Sequence, residues 1–253
     1  MSFEIVTIPC LSDNYAYLVH GGGKTAVVDV PEAAPIAAEL ERRGWALDEI
    51  WITHHHNDHI GGVEELRSAY GATVRGGAAD AHRLPPLDHA HGDGDRFDFA
   101  GSDVLVMDVS GHTVGHIAFY LADAKAAFTA DSLMALGCGR VFEGTMQQMW
   151  ESLSKLAALP GDTLICSGHE YTATNAAFAL TIEPENPALL QRKAMIAAAR
   201  DRGDPTVPSL LSAELETNPF LRAGLSQVKS SLDMRQRSDA EVFAEIRRRK
   251  DSF

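Results

Sequence analysis

At 253 residues, with 45% hydrophobic and 23% charged side chains, the chain has the make-up of an ordinary globular protein, long enough for one large domain or one with an appendage. A formal charge of −13, from 22 basic and 35 acidic side chains, disfavours nucleic acid or an anionic membrane as the main partner, since both call for a broad cationic surface. No apolar run approaches the roughly 18 residues of a membrane span. Residues 1–5 lack the basic and apolar stretches of a signal peptide, and three scattered cysteines, Cys10, Cys138 and Cys166, make no disulfide framework, so a reducing cytoplasm is the expected compartment.

In chain order, residues 3–8, 15–19 and 25–29 read as three strands separated by Asp-Asn and Gly-Gly-Gly turns. Residues 32–43 have helical spacing, with Ile36 and Leu40 on one face and Gly44 as a stop. A short apolar strand at 49–53 runs into a histidine cluster, and 63–70 reads as a helix. Further strands are expected at 73–75, 96–99, 104–109, 117–121 and 126–130. A helix capped by Thr145 follows over 145–159, then a buried strand over 163–167. After Glu170 helical patterns take over, at 173–181, 187–202 and 239–249, with prolines in the connections. The expected organisation is a mixed α/β domain over 1–170 and a helical segment over 171–253, with stacked sheets flanked by helices.

Four of the eleven histidines, His54, His55, His56 and His59, fall within six positions, together with Asp58. Packing imidazoles so densely after a buried strand is unfavourable unless a cation binds their lone pairs. Residues 54 and 56 project the same way from an extended backbone and can reach one ion. Asp58 and His59 follow the turn into a helix and point toward a second position, while His55 points elsewhere. Gly61 and Gly62 allow a close backbone turn. Four ligands cannot complete two sites. Further candidates stand just after later strands: His112, with His116 nearby, then Asp131, and then His169 beside Glu170.

The His54–His59 segment resembles the signature of the metallo-β-lactamase superfamily, a four-layer αββα fold. The stretches 137–144, 168–172, 218–222 and 248–251 narrow the likeness to the glyoxalase II (hydroxyacylglutathione hydrolase) family, over nearly the whole chain. The resemblance implies an αββα sandwich with a C-terminal helical domain. It implies one metal held by His54, His56 and His112 and a second by Asp58, His59 and His169. Asp131 would bridge the two, with Asp58 and Asp131 as the catalytic carboxylates. It further implies that Arg140, Phe142, Tyr171, Arg247 and Lys250 line the binding site of a glutathione thioester. Two divalent ions, zinc first and iron or manganese as alternatives, would generate hydroxide at neutral pH for thioester hydrolysis, S-D-lactoylglutathione giving glutathione and D-lactate. A monomer is expected. Asp29 and His116 read as supports for the ligands, and Cys138 as redundant beside a metal nucleophile. The chain departs from the family pattern at Ser110, Ala130, Ser132 and Val30-Pro31, and Phe142 stands where some members carry Tyr. The competing reading is an iron-dependent glutathione persulfide dioxygenase of the same superfamily.

Overall fold

The computed structural model describes residues 2–253, which form two compact units. The first runs to Asp108 and adds Val114–Ala130; the second consists of Val109–Thr113 and Asp131–Phe253.

In the first unit, β1 (Glu4–Cys10), β2 (Asn14–Gly21) and β3 (Lys24–Val28) form an antiparallel meander. The sheet continues in parallel through β4 (Glu49–Trp51), β5 (Thr73–Gly77) and β6 (His89–His91). The helices α1 (Ala33–Arg43), α2 (Asn57–Ile60) and α3 (Val63–Tyr70) connect these strands. Gly44 ends α1 in the left-handed conformation at φ 67°, as its stop position predicts. A second, antiparallel sheet runs through β7 (Arg96–Phe99), β8 (Ser102–Asp108), β9 (Ile117–Leu121) and β10 (Ala126–Ala130).

Strand β4 shows how the layers arise. Its side chains alternate, so Ile50 joins a cluster with Ile36, Leu40 and Leu66 under α1 and α3. Trp51 faces the other way, its ring 5.3, 5.0 and 5.4 Å from those of Phe97, Phe99 and Phe119 on the second sheet. Both faces are buried, which is why the strand reads as a short continuous apolar run. The parallel strands β3 and β4 end side by side, and their C-terminal ends carry Asp29 and the histidine cluster.

In the second unit, the hairpin of β11 (Leu133–Met134) and β12 (Gly137–Cys138) precedes α4 (Met146–Ala157). Thr145 caps α4 in a full capping box with Gln148. Next come β13 (Leu164–Ser167), α5 (Thr172–Ile182), α6 (Pro187–Asp201) and β14 (Ser209–Leu210), which pairs with β13. The chain ends in α7 (Leu211–Thr217), α8 (Ser226–Ser231) and α9 (Asp239–Asp251). Helices α5 and α6 bury Ala176, Ala179, Leu189 and Ile196 against each other, and α9 meets α4 through Phe243 and Trp150. Sequence patterning did not anticipate α7, α8, β6, β14 or the β11–β12 hairpin. They run from two to seven residues, too short for a period to emerge.

Candidate metal centre

Asp29 closes β3 with φ 55° and places both carboxylate oxygens under the histidine segment. Its Oδ1 accepts from the Thr53 amide at 2.8 Å; its Oδ2 accepts from the Thr53 hydroxyl and from His59 Nδ1, each at 2.8 Å. The Thr53 hydroxyl has one proton, given to Asp29, so toward His54 Nδ1 at 3.0 Å it accepts. Both His54 and His59 therefore carry their proton on Nδ1 and offer Nε2 as the lone-pair nitrogen. His54 Nε2 lies 3.1 Å from His56 Nδ1, and His59 Nε2 lies 3.8 Å from an Asp58 oxygen. His116 stacks on His54 at 4.5 Å with an 11° interplanar angle. His55 turns away to Asp80, at 3.0 Å, as its alternation with 54 and 56 predicts. Gly62 is required for a different contact from the one read in the sequence: a Cβ there would sit 2.5 Å from the Ala33 amide nitrogen. The segment is thereby seated on the start of α1.

The second unit assembles three further donors. Asp131 Oδ2 lies 3.4 Å from His112 Nε2 and 3.4 Å from His169 Nε2. His112 Nδ1 is 2.8 Å from the Arg140 carbonyl, which can only accept, so His112 also presents Nε2 as its lone-pair nitrogen. Gly111, at φ 146°, packs against Met149, and Ser152 on α4 donates to the Ser110 carbonyl at 2.7 Å. Gly139 is a second obligatory glycine, since a Cβ would fall 2.1 Å from the Asp131 carbonyl oxygen.

These spacings suit metal ligation. Two donors about 2.1 Å from one ion, at a tetrahedral angle, stand ~3.4 Å apart. Imidazole nitrogens and carboxylate oxygens without thiolate form a borderline-hard set suited to zinc, iron or manganese.

The other residues singled out in the sequence, those for the substrate, belong to the same unit as His112 and His169. The Phe142 ring is 62% exposed, 5.3 Å from the His112 ring; Tyr171 is 41% exposed and stacks on His169 at 4.7 Å. On α9, the Lys250 ammonium sits 5.3 and 5.1 Å from the rings of Phe178 and Phe253. Partial burial, then the charges of Arg247 and Arg140, bring its pKa down from 10.5 to about 8. The exposed Arg140 pairs with Asp251 at 3.7 Å. Arg247 is placed differently from its basic neighbours. It is 3% exposed, its guanidinium donating to the Cys138 carbonyl at 2.8 Å and pairing with Asp251 at 2.9 Å. Cys138 is itself buried, which pushes its thiol up to about 11.

Residues 11–169 match the metallo-β-lactamase superfamily, and residues 170–253 match the C-terminus of hydroxyacylglutathione hydrolase. Over 100% of both chains, the protein is 66% identical to a hydroxyacylglutathione hydrolase of Ruegeria pomeroyi. It is 51% identical to one of Methylococcus capsulatus, over 99% of this chain and 98% of that one. The chain belongs to the hydroxyacylglutathione hydrolase family.

Solved structures show the fold of the metallo-β-lactamase superfamily at low identity. A B3 metallo-β-lactamase, BLEG-1, superposes with a TM-score of 0.68 at 19% identity, over 86% of this chain and 99% of that one. ETHE1 from Myxococcus xanthus gives 0.66 at 21%, over all of both chains. As a hydroxyacylglutathione hydrolase the chain is a metal-dependent hydrolase, and the histidine and aspartate sets above are its candidate ligands. One supporting residue escaped the sequence reading. Asn14 donates from Nδ2 to the carbonyl and to a carboxylate oxygen of Asp58, both at 3.0 Å, fixing that side chain. In sequence Asn14 stands in an Asp-Asn pair, which signals a turn equally well.

Proposed function

We propose that this hydrolase converts S-D-lactoylglutathione, and related 2-hydroxyacyl thioesters of glutathione, to the acid and free glutathione. The observation that carries the reading is the 66% identity, end to end, with a hydroxyacylglutathione hydrolase. We further assign two divalent ions, zinc first, to seven side chains. His54, His56 and His112 hold one, Asp58, His59 and His169 the other, and Asp131 is shared. Three of the histidines have Nδ1 tied to Asp29, Thr53 or the Arg140 carbonyl, which supports the assignment by leaving Nε2 for the ion. When bound, the ions supply a nucleophile from water at neutral pH and an electrophile for the thioester carbonyl.

The protein's own part is binding and orientation. Glutathione brings two carboxylates, and Arg140 and Lys250 present cations for them, with Arg247 adding its charge from within. The exposed faces of Phe142 and Tyr171 offer aromatic surface beside the His112 and His169 rings. The departing thiolate, with a pKa near ~8.5, requires little protonation, so no side-chain general acid is called for. A thiol held at about 11, like that of Cys138, is no nucleophile at neutral pH. We place the division between catalytic and helical parts at residues 170–171, one residue after the two family matches meet at 169 and 170. The reading includes a monomer, and a reducing cytoplasm fits three buried cysteines that form no disulfide.

The test is hydrolysis of S-D-lactoylglutathione by protein of measured metal content, following thiol release and oxygen together. Thiol release without oxygen uptake, lost in His54→Ala, is expected. Fully metallated protein that released no thiol would overturn the assignment.

A further inference from the structure

The β11–β12 hairpin has only two ladder rungs, Leu133 with Cys138 and Met134 with Gly137. A ribbon so short is not stable by itself. Its turn adds a cost, because Leu136 sits at φ 55°, in the left-handed region that disfavours a side chain. Yet both ends of this ribbon carry site functions. One end follows directly from Asp131. The other runs through Gly139 to Arg140, whose carbonyl sets the His112 ring at 2.8 Å. Gly139 donates to Ser132 at 3.3 Å and closes the base of the loop.

What holds the ribbon comes from the helices that follow it in sequence. Asn218 Nδ2 donates to the Met134 carbonyl at 3.1 Å and the Gly137 carbonyl at 3.0 Å. Glu214 Oε2 accepts from the Leu136 amide at 2.8 Å, at the strained residue itself. Asn175 on α5 donates to the Ala135 carbonyl at 3.0 Å, and Arg247 on α9 to that of Cys138. These four side chains are 0–6% exposed, and each makes at least one hydrogen bond to the backbone of the six-residue ribbon. Asn218 is the centre of the set. It bridges both strands, and its Oδ1 accepts from the Phe220 amide at 3.0 Å, so its amide orientation is determined.

We propose that Asn218 is a positioning residue for the metal centre, acting through the β11–β12 hairpin on Asp131 and, by way of the Arg140 carbonyl, on His112. The helical segment then serves metal binding as well as the substrate. This rests on the assignment of Asp131 and His112 as ligands. Loosening the hairpin frees Asp131 to rotate and releases the tautomer lock on His112, so metal affinity falls even in a protein that still folds.

The experiment is zinc affinity by competition with a chromophoric chelator, with the visible spectrum of the cobalt-substituted protein as a report on ligand geometry. Asn218→Ala is expected to bind zinc about 10- to 100-fold more weakly and to show a shifted cobalt spectrum. Asn175→Ala, which removes one bond to the same hairpin, is expected to show a smaller loss in the same direction. Glu183→Gln is the control: it weakens the buried pair with Arg222, at 2.7 and 2.9 Å, a network that does not touch the hairpin. It is expected to lower the melting temperature and leave zinc affinity alone. A folded Asn218→Ala protein with wild-type affinity and spectrum would overturn the proposal, as would an equal loss in Glu183→Gln. Should Asn218→Ala not fold, unchanged affinity in Asn175→Ala overturns it. Wild-type protein that bound no zinc would instead bring down the ligand assignment beneath it.

Discussion

Asp29 serves three donors with two oxygens, the Thr53 amide, the Thr53 hydroxyl and His59 Nδ1. Asp29→Ala removes the group that fixes the tautomer of His59 directly and of His54 through Thr53. Metal affinity is expected to fall about 10- to 100-fold in a chelator competition. Lys250 gives a pH prediction. With its pKa lowered to about 8, it is charged below that pH and neutral above it. KM for a glutathione thioester should therefore climb as pH rises past about 8, with kcat little changed, and Lys250→Met should make KM high and flat. The sign for stability is the reverse. Between about 8 and 10.5 the unfolded chain holds the proton that the folded chain has lost, so this residue's contribution to stability improves as pH rises through that window. Residues whose type carries their chemistry were legible in the sequence, and the candidate ligands are of that kind. Asn14 and Asn218 were not, because an asparagine holding another residue in place looks the same in sequence as one making a turn.

Among the elements, α9 carries Arg247, Lys250 and Asp251 and begins at a capping box of Ser238 and Glu241. Ser238→Ala should cost about 1 kcal/mol, read as a fall of ~2–4 °C in melting temperature, with the thioesterase kcat preserved. Elements with a physical start or stop were readable: Thr145 before α4, Pro187 at the first turn of α6 behind its Asn186 cap, Gly44 after α1. The β11–β12 hairpin was not. Its stability comes from Asn218, Glu214, Asn175 and Arg247, the last of them 109 positions away from the carbonyl it binds. Arg247 illustrates the same limit. Its spacing from Lys250 shows that one helix face holds both, but only the fold shows its guanidinium turned inward to Cys138 and Asp251.

For the whole molecule, the alternation of strands and helices followed by helices alone indicated stacked sheets flanked by helices, while the likeness of the His54–His59 segment indicated the superfamily. The interleaving of the compact units was not indicated, since Val109–Thr113 joins the second unit through contacts distant in sequence, such as Ser152 on the Ser110 carbonyl. Metal bound only by the folded chain adds to its stability by mass action. At free metal a hundredfold above Kd this is ~2.7 kcal/mol, so stripping the protein with a chelator should lower its melting temperature by roughly 5–10 °C. Calorimetry with and without chelator checks this, and an unchanged melting temperature would contradict the metal assignment.

The buried thiols bear on how such a protein endures its own chemistry. Burial pushes Cys10 and Cys138 up to about 11 and Cys166 further still. At pH 7 a thiol with a pKa of 11 is ionised only to about one part in ten thousand, against a few per cent for a free cysteine. Thiol–disulfide exchange proceeds through the thiolate and needs access to it. A catalyst that releases glutathione is thus built to withstand glutathionylation by the oxidised form of its own product. The native protein should react with a chromogenic disulfide reagent only as fast as it unfolds, while all three thiols titrate at once in denaturant.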